Sequence, residues 1–260
     1  MKFWTKILKD FPWFLWSGWG SIASICLFLA LWDVGNQYYG DLILPSPYAV
    51  FASMGALFRE AAFLHELLLT MKRGLLGTGV AVLIGSVLGL LAGRFATASV
   101  MSRPIVTILV GIPPIAWIVL AMIWFGLGDM TVMFTVIVAA FPIVFVGALQ
   151  GSRTVENDLK EMMESFGIGF WQKVRDLYFP YLFSYLFPAW VSALGMGWKI
   201  VIMAELLSSS DGIGASLAVA RSHLDTPLAL ALVSTMVGVL LCVEYIILEP
   251  IKQEVESWRA

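Results

Sequence analysis

Charge is what this 260-residue sequence has least of. Asp, Glu, Lys and Arg make up 13% of it, against about a quarter in a soluble domain. With 60% hydrophobic residues and a mean hydropathy of +0.87, the chain cannot cover a water-facing surface, so its solvent is largely lipid. A net charge of −2 gives no footing for a nucleic-acid partner. Cysteine is nearly missing as well: Cys26 and Cys242 each lie in an apolar run, which points to small core residues in a lipid-buried setting and excludes a disulfide framework. The two histidines, His65 and His223, have no metal-ligand spacing. No Gly-Lys pair occurs anywhere, so the G-x-x-x-x-G-K-[ST] loop that cradles ATP phosphates is missing. There is no nucleophile–base constellation and no pair of carboxylates placed for acid–base chemistry. The start, MKFWTKILKDFPWFLW, is basic but shows no small-residue cleavage pattern.

What the chain has is apolar length. Runs of about 20 apolar residues fall near 13–35, 70–93, 104–127, 130–150, 183–207 and 227–248, predicting an all-α integral membrane protein of six transmembrane helices in a single domain, 1–260. The second run is glycine-rich (Gly74, Gly77, Gly79, Gly85, Gly89, Gly93), which predicts burial among neighbouring helices. With the N-terminus inside, eleven basic residues fall in inner segments and four (Arg59, Lys72, Arg73, Arg221) in outer ones, with Lys199 left within a span. Both termini are therefore expected in the cytoplasm. In the first outer segment, LPSPYAVFASMGALF predicts a Pro-punctuated turn and an amphipathic helix at the membrane surface.

The longest inner segment, about 151–181, gathers charge that the rest of the chain avoids. In NDLKEMMESF, Leu159, Met162, Met163 and Phe166 fall at i, i+3, i+4 and i+7, one stripe of a helix. Gly167 then supplies the positive-φ residue that closes such a helix. A second helical stretch follows, with Phe170, Val174, Leu177 and Tyr178 on one side, and Pro180 is expected to stop it. Either this loop lies solvated on the lipid surface or it docks a soluble partner, helix in groove.

The spacing of Glu161, Met162, Met163, Gly167, Leu177, Phe179 and Pro180 resembles the EAA loop of ABC-importer permeases, with methionines in place of the two alanines and Phe179 in place of leucine. ILPSPYAVF (43–51), GIPPIAWIVLAMIWFGLGD (111–129) and GWKIVIMAELLSSSDGIGASL (197–217) are similar to segments of permeases serving nitrate, sulfonate, taurine and bicarbonate importers. The resemblance runs from about residue 43 to 250. It implies a permease without enzymatic activity of its own, working as a pair with a second copy in the bacterial inner membrane. It also implies two cytoplasmic ATPase subunits, which hold ATP and magnesium, and an extracytoplasmic solute-binding protein that delivers a small anion. Together with the apolar stripe, it marks Leu159, Glu161, Met162, Met163, Phe166, Gly167, Leu177 and Pro180 as the expected docking residues. A self-contained secondary transporter is the rival reading, but it calls for intramembrane carboxylates and an internal repeat. Apart from Glu205, neither is seen.

For the translocation path, Lys199 and Glu205 are the ionisable residues well inside a span, and such residues are functional hypotheses by default. Six positions apart, they cannot face each other on one helix, so each needs another partner or a wet cavity. Either role, path-lining or structural, is open to both. Pro113, Pro114 and Trp117 in GIPPIAW interrupt the third span, as a packing kink or a gate. SSSDGIG (208–214) predicts an outer turn with a tight bend at Asp211 and Gly212.

Overall fold

The computed structural model describes residues 19–154, 162–163 and 165–248, and every regular element in them is helical. In chain order these are α1 (Trp19–Tyr39), α2 (Pro47–Leu57), α3 (Ala61–Arg94), α4 (Ala96–Gly111), α5 (Pro114–Phe125), α6 (Asp129–Thr154), α7 (Phe170–Lys173), α8 (Phe179–Ser208), α9 (Ile213–Ser222) and α10 (Thr226–Cys242). A π-turn, Val174–Tyr178, joins α7 to α8, and a second, Val243–Leu248, extends α10.

The contacts divide the chain into two units, one of Met1–Arg59 with Ala220–Ala231, the other of Glu60–Val219 with Leu232–Ala260. In the first unit the α1–α2 connection is held by side chains. The Trp32 indole donates to the Pro45 carbonyl at 2.9 Å, and the Asn36 amide donates to Asp41 and to the Leu44 carbonyl. Ser46 caps α2 by accepting from the Ala49 N–H, and Pro47 fills the first helical turn, where a missing N–H costs nothing. The turn and helix expected there are present. The helix is apolar on more than one face, with Val50 and Leu57 buried but Tyr48 and Phe51 exposed, so it is not the amphipathic helix that was expected.

The second unit is built on three long helices, α3, α6 and α8. Four described helices are long and apolar enough to cross a membrane, or five if a bent pair counts as one. Glycine sets how closely they approach. A Cβ on Gly77 or Gly85 would lie within 3 Å of Val136 or Val144, and one on Gly89 would lie 2.5 Å from the Phe145 carbonyl. The small-residue face of α3 thus lies directly against α6, as its glycines predict. Gly147 likewise brings α6 onto Ala189 of α8. Between them sit two apolar clusters, Ala81, Ala140, Val144 and Ala193 in one and Ile118, Val132, Val136, Ile200, Val201 and Ala204 in the other. Pro142 stays inside an unbroken α6.

Three further expectations change. The third expected span is two helices, α4 and α5, bent by 92° at Ile112–Pro113. Pro113 drives Ile112 to extended backbone (φ −82°, ψ 122°), and consecutive prolines leave two missing N–H groups, so the chain turns a corner rather than kinking. Pro180 ends no helix. It occupies the first turn of α8, entered directly from the π-turn. Cys26 and Cys242 are exposed on their helices and are not core residues. The first expected span coincides with α1 from Trp19 on, and its earlier part lies outside the described residues.

Candidate functional site

The most concentrated polar chemistry lies where the C-terminal end of α8 meets the first third of α3. Glu205 is fully buried. A buried carboxylate needs its lone pairs met, and here they are met by three donors from two elements, α3 and α9. One oxygen accepts from the Arg73 guanidinium at 2.9 Å, and the other accepts from the Thr70 hydroxyl at 2.8 Å and the Gly214 N–H at 3.1 Å. The Thr70 hydroxyl accepts in turn from the Ile213 N–H at 2.9 Å. The first two N–H groups of α9 are therefore satisfied by Glu205 and its hydroxyl partner, and the helix begins on a carboxylate, the sign its dipole favours.

Close approach makes this possible. Gly212 has φ +94°, a backbone favouring glycine, and a Cβ on it or on Gly214 would come within 2.6 Å of Glu205. The tight bend expected at SSSDGIG is present, wrapped around the Glu205 side chain.

Arg73 is itself 4% exposed and acts as a hub. Besides Glu205 it donates to the Asp211 carboxylate at 2.7 Å, to the Asp211 carbonyl at 3.0 Å, and to Asp129 at the start of α6. Asp129 and Asp211 keep most of their surface in solvent. The hydrogen bond from Arg73, then that from Ser209, holds the Asp211 carboxyl below its ordinary value. One guanidinium on α3 thus ties together the start of α6, the C-terminal end of α8 and the loop into α9.

Lys199 is not part of this hub. It lies on another face of α8, exposed within the chain, and lines a cavity of about 530 Å³ with Pro188, Ser192, Gly195, Leu240 and Glu244. Pro113, Pro114 and Trp117 do not line that cavity. They open α5, whose Ile118 packs into the apolar cluster with Val132 and Ile200. The Trp117 indole N–H is buried with no partner among the described residues.

At the other end of α8 lies the elbow. Gly167 has φ +66°, and the Ile168 N–H donates to the Met163 carbonyl at 3.1 Å while the Phe166 N–H donates to Met162. This six-to-one closure is the Schellman motif, in which glycine at the left-handed position satisfies the last carbonyls of a helix. The glycine stop read from the sequence is present. Met162 and Phe166 are exposed, Phe166 at 77%, and Met163 is half-buried. Leu177 is buried in the π-turn. Leu159 and Glu161 lie outside the described residues. The Tyr181 hydroxyl donates to the Thr154 carbonyl at 2.9 Å, tying the start of α8 to the end of α6 next to this elbow.

Residues 81–248 match the family described as the binding-protein-dependent transport system inner membrane component. The chain belongs to that family. It is similar to the taurine transport system permease TauC of Escherichia coli K12, with 27% identity over 81% of this chain and 79% of that protein. It is similar also to the nitrate import permease NrtB of Synechococcus elongatus (22%, 74% and 73%) and of Synechocystis (24%, 74% and 73%).

The chain is thus a multi-pass transmembrane permease subunit of an ABC importer. The sequence reading missed the residue that organises this site, because Arg73 was counted among the basic residues expected on the outer side. The available signal was its register. Thr70, Arg73, Gly74, Gly77 and Ala81 recur at three- and four-residue spacing, so the arginine shares the buried small-residue face of α3.

Proposed function

We propose that this permease works as one domain paired with a second copy, the two together forming a path for a small anion. A binding protein presents the solute from outside, and two ATPase subunits, holding ATP and magnesium, drive the cycle from the cytoplasm. Six spans with both termini inside fit the eleven-to-four distribution of basic residues. The relatives named for taurine and nitrate carry solutes with an anionic group, and Lys199 beside a cavity supplies the matching charge.

The observation that carries the reading is the elbow. A membrane chain that avoids charge exposes Met162 and Phe166 at a glycine-capped helix end, in the segment that resembles the family's docking loop. Flexible methionine surface suits a groove on a moving partner. Leu159, Glu161, Met162, Met163 and Phe166 would form the contacting helix, Gly167 the bend, and Leu177 and Pro180 the anchor into α8. In transport, closure of the ATPases draws the two elbows together, and α8 carries that motion toward Lys199, Glu205 and the corner at Pro113, Pro114 and Trp117. Reconstitution with the cognate ATPase and binding protein tests this. Glu161→Lys is expected to leave insertion intact while abolishing solute-stimulated ATP hydrolysis. Normal stimulation would refute the docking role.

A further inference from the structure

Lys199 stands at the junction of two chambers. One is the cavity already described. The other, of about 150 Å³, shares Lys199 and Leu240 but is otherwise lined by apolar residues such as Ile202 and Met236, on the side of Lys199 nearer Ser208. On the Pro188 side the wall is more polar, carrying Ser192 and Glu244, and Glu244 lies one helical turn, about 6 Å, beyond Leu240. Among the described residues neither Lys199 nor Glu244 makes a hydrogen bond or ion pair. Charges at this depth in an apolar helix are costly unless they face water or each other. Here one ammonium and one carboxylate share one cavity.

We propose that Lys199 is an anion-binding residue of the path and that Glu244 is its counter-charge, lining the same cavity and weakening the hold of the ammonium on the passing solute. This rests on the anion reading above. In the empty cavity the two opposite charges partly offset each other without pairing, which lowers the cost of holding each away from bulk water. A small monovalent oxyanion pairs with the Lys199 ammonium and is held only weakly, because the Glu244 charge lining the same cavity repels it. A second negative charge on the solute would face Glu244 unpaired, so the site favours monoanions.

Ser192 is a suitable reporter, since it lines the same wall and its hydroxyl donates to the Pro188 carbonyl at 2.9 Å. In the full chain in proteoliposomes, with Cys26 and Cys242 replaced by serine, Ser192→Cys is reacted with two methanethiosulfonates, one bearing a sulfonate and one a trimethylammonium. The readout is the ratio of their rates. A single charge within about 8 Å in partly screened surroundings changes that ratio by about tenfold or more. Lys199→Met is expected to lower the anionic preference by that factor, Lys199→Arg to restore it, and Glu244→Gln to raise it. If Glu244→Gln leaves the ratio unchanged while Lys199→Met lowers it, this inference fails and the anion reading survives. If Lys199→Met has no effect, the anion reading falls too, and an unreactive thiol would show that the groove holds no water and overturn the proposal.

Discussion

Removing Arg73 strands the fully buried Glu205, and the structure indicates how much stability that removes. In Arg73→Met, Asp129 and Asp211 lose a partner but stay in solvent, so their loss is small. Glu205 keeps only the Thr70 hydroxyl and the Gly214 N–H, with its charge uncompensated. Breaking a buried pair from one side costs about 3–5 kcal/mol, and most of that is the stranded charge. Adding Glu205→Gln removes the charge while keeping a carbonyl oxygen for Thr70 and Gly214. The double variant is therefore expected to recover at least half of the loss, a coupling of about 2 kcal/mol between residues 132 positions apart. Thermal unfolding in nanodiscs of the wild type, both single variants and the double variant measures it. If the double variant is destabilised by the sum of the single effects, the hub is not the linked unit described here.

Further outcomes follow from the same contacts. Gly89→Ala should destabilise by about 1–3 kcal/mol, because its Cβ meets the Phe145 carbonyl at 2.5 Å. Gly79→Ala, with no atom within 4 Å, should be neutral or stabilising by up to about 1 kcal/mol in the same unfolding assay. Gly167→Ala places a Cβ at φ +66° at a cost of about 1–2 kcal/mol to the elbow. It should lower uptake without lowering the amount of protein in the membrane. Asp211 has a depressed pKa, so its contribution is fully present above its ordinary value of 3.8 and is lost as pH falls through the depressed value. Hydrogen exchange at the Ile213 and Gly214 amides should quicken over that acidic range, and Asp211→Asn should remove the dependence.

Periodicity and glycine carried much of the fold in the sequence. The glycine-rich run predicted that α3 is buried among neighbouring helices, because small residues let backbones approach closely in lipid, while the identity of α6 as that neighbour came only with the structure. Gly167 and Gly212 predicted their turns because a positive φ is nearly a glycine property. The corner at Ile112–Pro113 was harder to read. Two adjacent prolines announce an interruption, but whether the chain kinks or turns by 92° depends on what Ile118 packs against. Pro180 was misread because a proline at the first turn of a helix and one just past its end look alike in sequence. The Glu205 hub was half legible. The carboxylate stood out inside a span, and its need for a partner followed from burial. Its partner lay 132 residues away in a register that counting charges by segment conceals.

The central claim is that the elbow around Gly167 is the grip for an ATPase. The most direct measurement places a photoactivatable amino acid at Phe166, exposed at 77%, in the complex assembled with its cognate ATPase in membranes. Irradiation is expected to yield a permease–ATPase adduct, mapped by mass spectrometry to the ATPase surface, with none formed from Tyr48 on α2. An adduct with lipid alone, in a complex that still hydrolyses ATP in response to solute, would contradict the account.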